Sequence, residues 1–136
     1  MKRGQAAMEY IVVIGFALLL AFPLVIIFFS QSQDMTDQLT MNQVREIGRK
    51  IVSTAEQVYY LGEPSQTTLK VYMPSHVENV VINDNELIFN VSMGNNAYSD
   101  VVFRSDITIN GDLTTVSGVR YIKIKAIQGW VNISDA

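Results

Sequence analysis

Few residues in this chain of 136 carry reactive groups, and their spacing limits the chemistry open to them. With no cysteine and a single histidine, His76, the chain has no thiol nucleophile, no thiolate metal site and no disulfide scaffold. Neither a Gly-x-Ser-x-Gly nucleophile turn nor a Gly-rich phosphate loop is present. His76 follows Pro74-Ser75 and reads as a surface loop residue rather than a ligand. Asp100, Asp106 and Asp112 recur every six residues near turn-forming sequence. Calcium binding is one reading of that spacing, and turn chemistry is the simpler one. The expectation is therefore no resident metal, no cofactor and no enzymatic activity. Two triplets, Asn90-Val91-Ser92 and Asn132-Ile133-Ser134, satisfy the N-glycosylation pattern. Alternation places both asparagines opposite the apolar face of their strands, so glycan attachment to at least one is expected.

Glu9 is the remaining residue of chemical interest, because a long uncharged segment begins directly after it. From Tyr10 to Phe29 the chain runs for 20 residues without a charge. At about 1.5 Å per residue, such a helix covers the ~30 Å hydrocarbon core of a bilayer. A helix apolar on every side must face lipid or other helices, and the rest of the chain is too small to wrap it. Gly15 and Pro23 are tolerated in that setting, with a local kink expected where Pro23 lacks a donor. Ahead of the run, Lys2 and Arg3 bias the N-terminus to the cytoplasm and the remainder to the outside. Behind it, Phe28-Phe29-Ser30-Gln31 offers no small-residue cleavage site, so a retained signal anchor is the plain reading. A carboxylate at the hydrocarbon edge is costly without water or a cation. Glu9 either reaches the headgroup region or awaits a partner.

Composition narrows the classes further. Ten Lys and Arg against 13 Asp and Glu give a net charge of −3, which argues against a nucleic-acid partner. A hydrophobic content of 49% excludes a wholly disordered chain, and the length allows one modest domain.

The block Lys2-Arg3-Gly4-Gln5-Ala6-Ala7-Met8-Glu9, followed by the apolar run, resembles the class III signal peptide of archaeal type IV pilins. The resemblance implies that a prepilin peptidase cuts between Gly4 and Gln5, removing a leader of residues 1–4. Glu9 then becomes the fifth residue of the mature chain, where type IV pilins generally carry a glutamate. Bacterial pilins usually begin with Phe, and Gln5 departs from that pattern. Cleavage leaves eight cations against 13 acids and exposes an α-amino group. In the family mechanism this amine neutralises the glutamate of a neighbouring subunit, so Gln5 and Glu9 together set subunit register. An N-terminal glutamine can instead cyclise to neutral pyroglutamate, in which case Glu9 takes a hydrogen-bond donor.

Beyond the polar stretch Ser30 to Thr36, apolar residues recur at Leu39, Val44, Ile47, Ile51, Ala55, Val58 and Leu61. From Val44 the steps are three or four, the period of one helix face. Asp34 and Asp37 suit a helix start or a frayed joint, while Gly62 and Pro64 mark a stop. One long helix is expected over residues 5–62, with 10–29 as its membrane or filament-core part. From Thr67 the period becomes two, broken by Met73-Pro74-Ser75, Asn83-Asp84-Asn85, Gly94-Asn95-Asn96, Asn110-Gly111-Asp112 and Ser117-Gly118. Six to eight short strands are expected over residues 63–136. The fold class is thus α+β, a long N-terminal helix followed by a small antiparallel sheet or sandwich head.

The resemblance implies a homopolymeric surface filament, assembled from membrane-inserted precursors by an assembly platform and ATPase, with adhesion as its usual role. The precursor sits in the cytoplasmic membrane with its head outside. Two rivals stay open: a monomeric signal-anchored binding module, and a minor pilin or pseudopilin.

Overall fold

The computed structural model describes residues 2–94 and 96–136. The side chains of Lys2 and Arg3, the leader charges, lie outside the described residues, as does Asn95 of one turn signal. One helix, α1 (Lys2–Leu61), precedes the strands β1 (Gln66–Met73), β2 (Val77–Asn83), β3 (Glu86–Ser92), β4 (Tyr98–Arg104), β5 (Ile109–Asp112), β6 (Gly118–Ile127) and β7 (Trp130–Asp135). The fold is α+β. The chain forms two units, the first ending at Thr36 and the second running from Asp37 to Ala136.

In the first unit every residue from Gly4 to Thr36 is exposed. The helix runs through Pro23 without a break. It also continues across residues 30–38, where the sequence offered a frayed joint. Thr36 turns its hydroxyl back to the Ser32 carbonyl at 3.1 Å, a local bond that leaves the helix intact. Asp37 caps no helix start; its carboxylate accepts the backbone N–H of Gly94 at 3.3 Å.

In the second unit, the face built from Val44, Ile47, Ile51, Ala55 and Val58 is buried. Leu61, expected on that face, is 76% exposed, and Leu39, which lies ahead of the three-and-four spacing, is 61% exposed. Leu39 precedes Val44 by five residues, which at about 100° per residue rotates it off the stripe. Leu61 is the last helical residue, where the chain turns away. Gly62 ends the helix with φ of 79° and donates its N–H to the Tyr59 carbonyl at 3.0 Å, a left-handed cap that suits glycine.

The strands form two sheets, ordered β1-β6-β7-β5 and β2-β3-β4. Both contribute to one hydrophobic core with the helix. The sheets meet where the β2–β3 turn reaches β5, the Asp84 carbonyl accepting the Ile109 N–H. Within the three-stranded sheet the Asn85 carbonyl accepts the Ser105 N–H at 2.8 Å, and the Asn85 side-chain amide donates to the Ser105 carbonyl at 3.2 Å, extending the β3–β4 pairing by one step. At the opposite edges α1 closes the gap. Gly48 lies against Phe103 of β4, and a groove beside β1 is lined by Glu46, Ile47, Lys50, Lys70 and Tyr72.

One pairing departs from the all-antiparallel expectation: β5 runs parallel to β7. The triplet Asn110-Gly111-Asp112, expected as a turn, lies inside β5. Gly111 is opposite Ile133, and a Cβ there would come within 1.8 Å of the Ile133 carbonyl oxygen. The glycine thus serves close backbone approach within a sheet, which sequence alone cannot tell from a turn.

At one end of the four-stranded sheet, Asp135 accepts the Thr114 backbone N–H at 2.9 Å and pairs with Arg120 at 3.2 Å. Partial burial pushes the Asp135 carboxyl upward, but the Thr114 and Arg120 donors together outweigh it and hold the group below its ordinary value of 3.8.

A carboxyl lowered in the folded state contributes stability above its unfolded pKa and loses it as pH falls through the folded one. Asp135→Asn is therefore expected to cost about 1 kcal/mol at neutral pH. In thermal melts of the detergent-solubilised chain, the difference from wild type should shrink below the ordinary aspartate range and vanish once both states are protonated. Gly48→Ala tests the helix packing. Its Cβ would fall 2.1 Å from the Phe103 ring, which packs edge-on against Phe89 at 5.9 Å. Overpacking of about 1–3 kcal/mol exceeds the gain of about 0.5–1 kcal/mol in helix propensity, so the melting temperature should fall. Phe103→Leu should restore part of it.

Candidate functional site

The exposed apolar face of the first unit is the dominant chemical fact of the molecule. Its most apolar 18-residue window has a mean hydropathy of 3.1 and no buried residue. Tyr10, Phe16, Phe22, Ile26 and Phe28 are each more than 60% exposed. Covering one such side chain is worth about 1.5–3 kcal/mol. Left in water, about ten of them would forfeit more than the whole stability of about 5–15 kcal/mol typical of a domain. The segment is long and apolar enough to cross a membrane.

Along one side of this helix, Gly15, Leu18, Leu19, Phe22, Pro23 and Ile26 line a shallow apolar concavity. Their steps of three and four put them on one face. No atom comes within 4 Å of where a Gly15 Cβ would stand, so the glycine leaves an open notch.

Nearer the N-terminus, Gly4 and Gln5 are helical and exposed. Glu9 stands four residues after Gln5, one turn on and on the same face, and a second shallow concavity is lined by Gln5, Met8, Glu9, Val12 and Val13. Neither ion pair among the described residues involves Glu9.

The other residues singled out from sequence lie apart. Asp100 accepts the Asn90 side-chain amide at 2.7 Å, while Asp106 donates its backbone N–H to Glu56 at 3.2 Å. Asp112 ends β5. Among the described residues no group of three His, Asp or Glu could hold a metal ion. His76 Nδ1 faces the Ser75 hydroxyl at 3.3 Å. Both sequon asparagines point away from the core, since Phe89, Val91, Val131 and Ile133 beside them are buried. Each is half-buried in a central strand rather than in a loop.

One grouping is not evident from sequence. Lys70, Tyr72, Tyr121, Lys123 and Lys125 take the exposed positions in the alternation of β1 and β6. The β1–β6 register brings them onto one outer face, with Lys70 opposite Tyr121 and Thr68 opposite Lys123. Recurrence of lysine at every second residue was the available signal.

The chain matches no protein-family profile, no curated protein and no solved structure.

The division at Thr36 generates a test. A chain beginning at Asp37 is expected to fold and stay in the aqueous fraction, because every buried core residue among those described lies beyond that point. The full chain should require detergent, membrane or self-assembly. A full-length chain that is monomeric and monodisperse in plain buffer would contradict this account of the apolar face.

Proposed function

We propose that the chain is a structural subunit, a pilin, of an archaeal type IV pilus-like extracellular filament. The observation that carries this reading is a 20-residue uncharged helical segment, wholly uncovered, that directly follows the Lys2-Arg3-Gly4-Gln5…Glu9 block. A helix of this kind is stable in lipid before assembly and stable among identical helices afterwards, because the two surroundings are nearly equal in polarity. Transfer from membrane to filament then never exposes it to water. The cytoplasmic-membrane precursor, with its head outside, and the cell-surface polymer are two stages of one chain. Processing by a prepilin peptidase, extraction by an assembly platform and ATPase, and a role in adhesion follow from the same resemblance.

Cleavage between Gly4 and Gln5 has a direct physical consequence at Glu9. Removing residues 1–4 moves the start of α1 to within a turn of Glu9, where the helix dipole favours a carboxylate. It also creates an α-amino group, the natural counter-charge for a Glu9 buried in a neighbouring subunit. Leaving one member of a buried pair alone costs about 3–5 kcal/mol, enough to reject subunits docked out of register.

Mass spectrometry of the N-terminal peptide from cell-surface shearings tests the reading. A mature chain starting at Gln5, free or as pyroglutamate, is expected; a monomeric chain keeping Met1 to Gly4 would favour the anchored binding module. Glu9→Ala should lower the yield of sheared filament by at least about tenfold, equivalent to about 1.4 kcal/mol in subunit addition, while membrane insertion is unchanged. Wild-type filament yield from that variant would remove Glu9 from assembly.

A further inference from the structure

The charges of the head are sorted by sheet. On the outer face of the four-stranded sheet stand Lys70, Lys123 and Lys125, with Asp112 as the one carboxylate among its outward strand positions. Lys125 and Lys123 occupy one end of this face; Lys70 pairs with Tyr121, and Tyr72 pairs with Val119 beyond it, so an aromatic and aliphatic strip fills the other end. These three apolar groups are 52–60% exposed. The outer face of the three-stranded sheet has the opposite character. Val81, Ile88 and Val102 align across its three strands as one apolar row. Val81 and Val102 are 43% and 49% exposed. Asp100 flanks this row on one side and Glu86 on the other, while Glu78 lies in the β2 bulge. The face's single cation, Arg104, is already held by Glu86 at 3.1 Å. Among the described residues, neither ion pair uses any of the three lysines, Asp100 or Glu78.

We propose that the lysine–tyrosine face of one copy docks on the acid-flanked Val81–Ile88–Val102 face of the next copy along the filament. This rests on the filament reading and adds the head contact to it. The occupant follows from complementarity within a single chain. Each face sets exposed apolar side chains beside charges, and the charges of the two faces are opposite in sign, so docking pairs dry contact with polar contact as interfaces do. Pairing like faces would set lysines against lysines, which electrostatics opposes. Contact between two different patches does not close on itself as a dimer does; it propagates from copy to copy and yields a ring or an open helix. Both sequons fall on these faces: Asn90 pairs with Asp100, and Asn132 with Lys125. Docking therefore requires both asparagines to be free of glycan in assembled subunits, against the sequence expectation that at least one carries it.

The test uses cells producing the full chain, with sheared filament yield as readout and thermal melting of the detergent-extracted chain as a fold control. Lys123→Glu with Lys125→Glu should reduce yield by at least about tenfold, and Glu78→Lys with Asp100→Lys by a similar factor. All four changes together should return it to within about threefold of wild type, since the charges are exchanged rather than lost. Should a reversal lower the melting temperature, the neutral pair Lys123→Gln and Lys125→Gln replaces it, with a smaller loss of yield expected. Wild-type yield from either reversal, or no recovery in the combination while melting is unchanged, overturns the docking. Glycan mass on Asn90 or Asn132 of filament subunits overturns it as well. Absence of filaments from the wild-type chain is a different failure, that of the filament reading itself.

Discussion

The apolar surface of residues 10–29 has to be kept from water, and the rest of the molecule answers to that requirement. The head cannot cover it, because its own core is already filled by the helix face of Val44 to Val58 and by both sheets. Covering must come from outside the chain. Lipid and sibling helices are the two surroundings that accept a helix apolar on all sides. A structure that uses them in succession needs no refolding between, only exchange of neighbours. That every residue from Gly4 to Thr36 is exposed is the structural expression of that dependence.

The same helix meets a different constraint after Asp37. There it is one wall of a core whose other walls are the two sheets. The sheets join at Asp84 and Ile109, and α1 lies against the free edges at β1 and β4. Close approach on the β4 side depends on Gly48, which has no side chain to hold Phe103 away. In a helix interior glycine costs about 0.5–1 kcal/mol relative to alanine, and here packing against an aromatic edge offsets it. A strand edge beside a helix is also less open to stray pairing with another chain.

Much of this could be read from the chain. The long uncharged run, the three-and-four spacing from Val44 and the two-residue alternation from Thr67 each leave a periodic trace that survives without coordinates. The illegible part depends on which strands are neighbours. Asn110-Gly111-Asp112 has turn chemistry, yet it lies in a strand because Ile133 passes so close that no Cβ fits. The tight β6–β7 hairpin turn at Gln128-Gly129, with Gly129 at φ of 88°, leaves little mark in the sequence because one glycine among polar residues is a weak signal. Leu39 shares the composition of the buried stripe but not its angle, and Leu61 keeps the spacing but falls at the end of the helix. For the candidate site, Glu9 was legible because a single acid beside hydrocarbon is conspicuous. The lysine–tyrosine face was not, because alternation says only that residues face outward, while register decides which strands bring them together.

Greasy rods can settle side by side in many arrangements, and something must select one. Apolar side chains interdigitate in several registers with small differences in energy, since dispersion is non-directional and each contact is weak. In the proposed filament, packing of residues 10–29 supplies adhesion between subunits but little choice. Choice must come from groups whose mispairing is expensive, and such groups are scarce here. Glu9 stands at one end of the apolar segment, and the charge-sorted sheet faces belong to the head that comes after its other end. A charge buried without its partner, or a lysine face set on a lysine face, penalises wrong neighbours more than correct pairing rewards right ones. Specificity of that kind needs few residues. Loss of a few charges would then degrade order in the polymer well before it degraded the fold of the subunit.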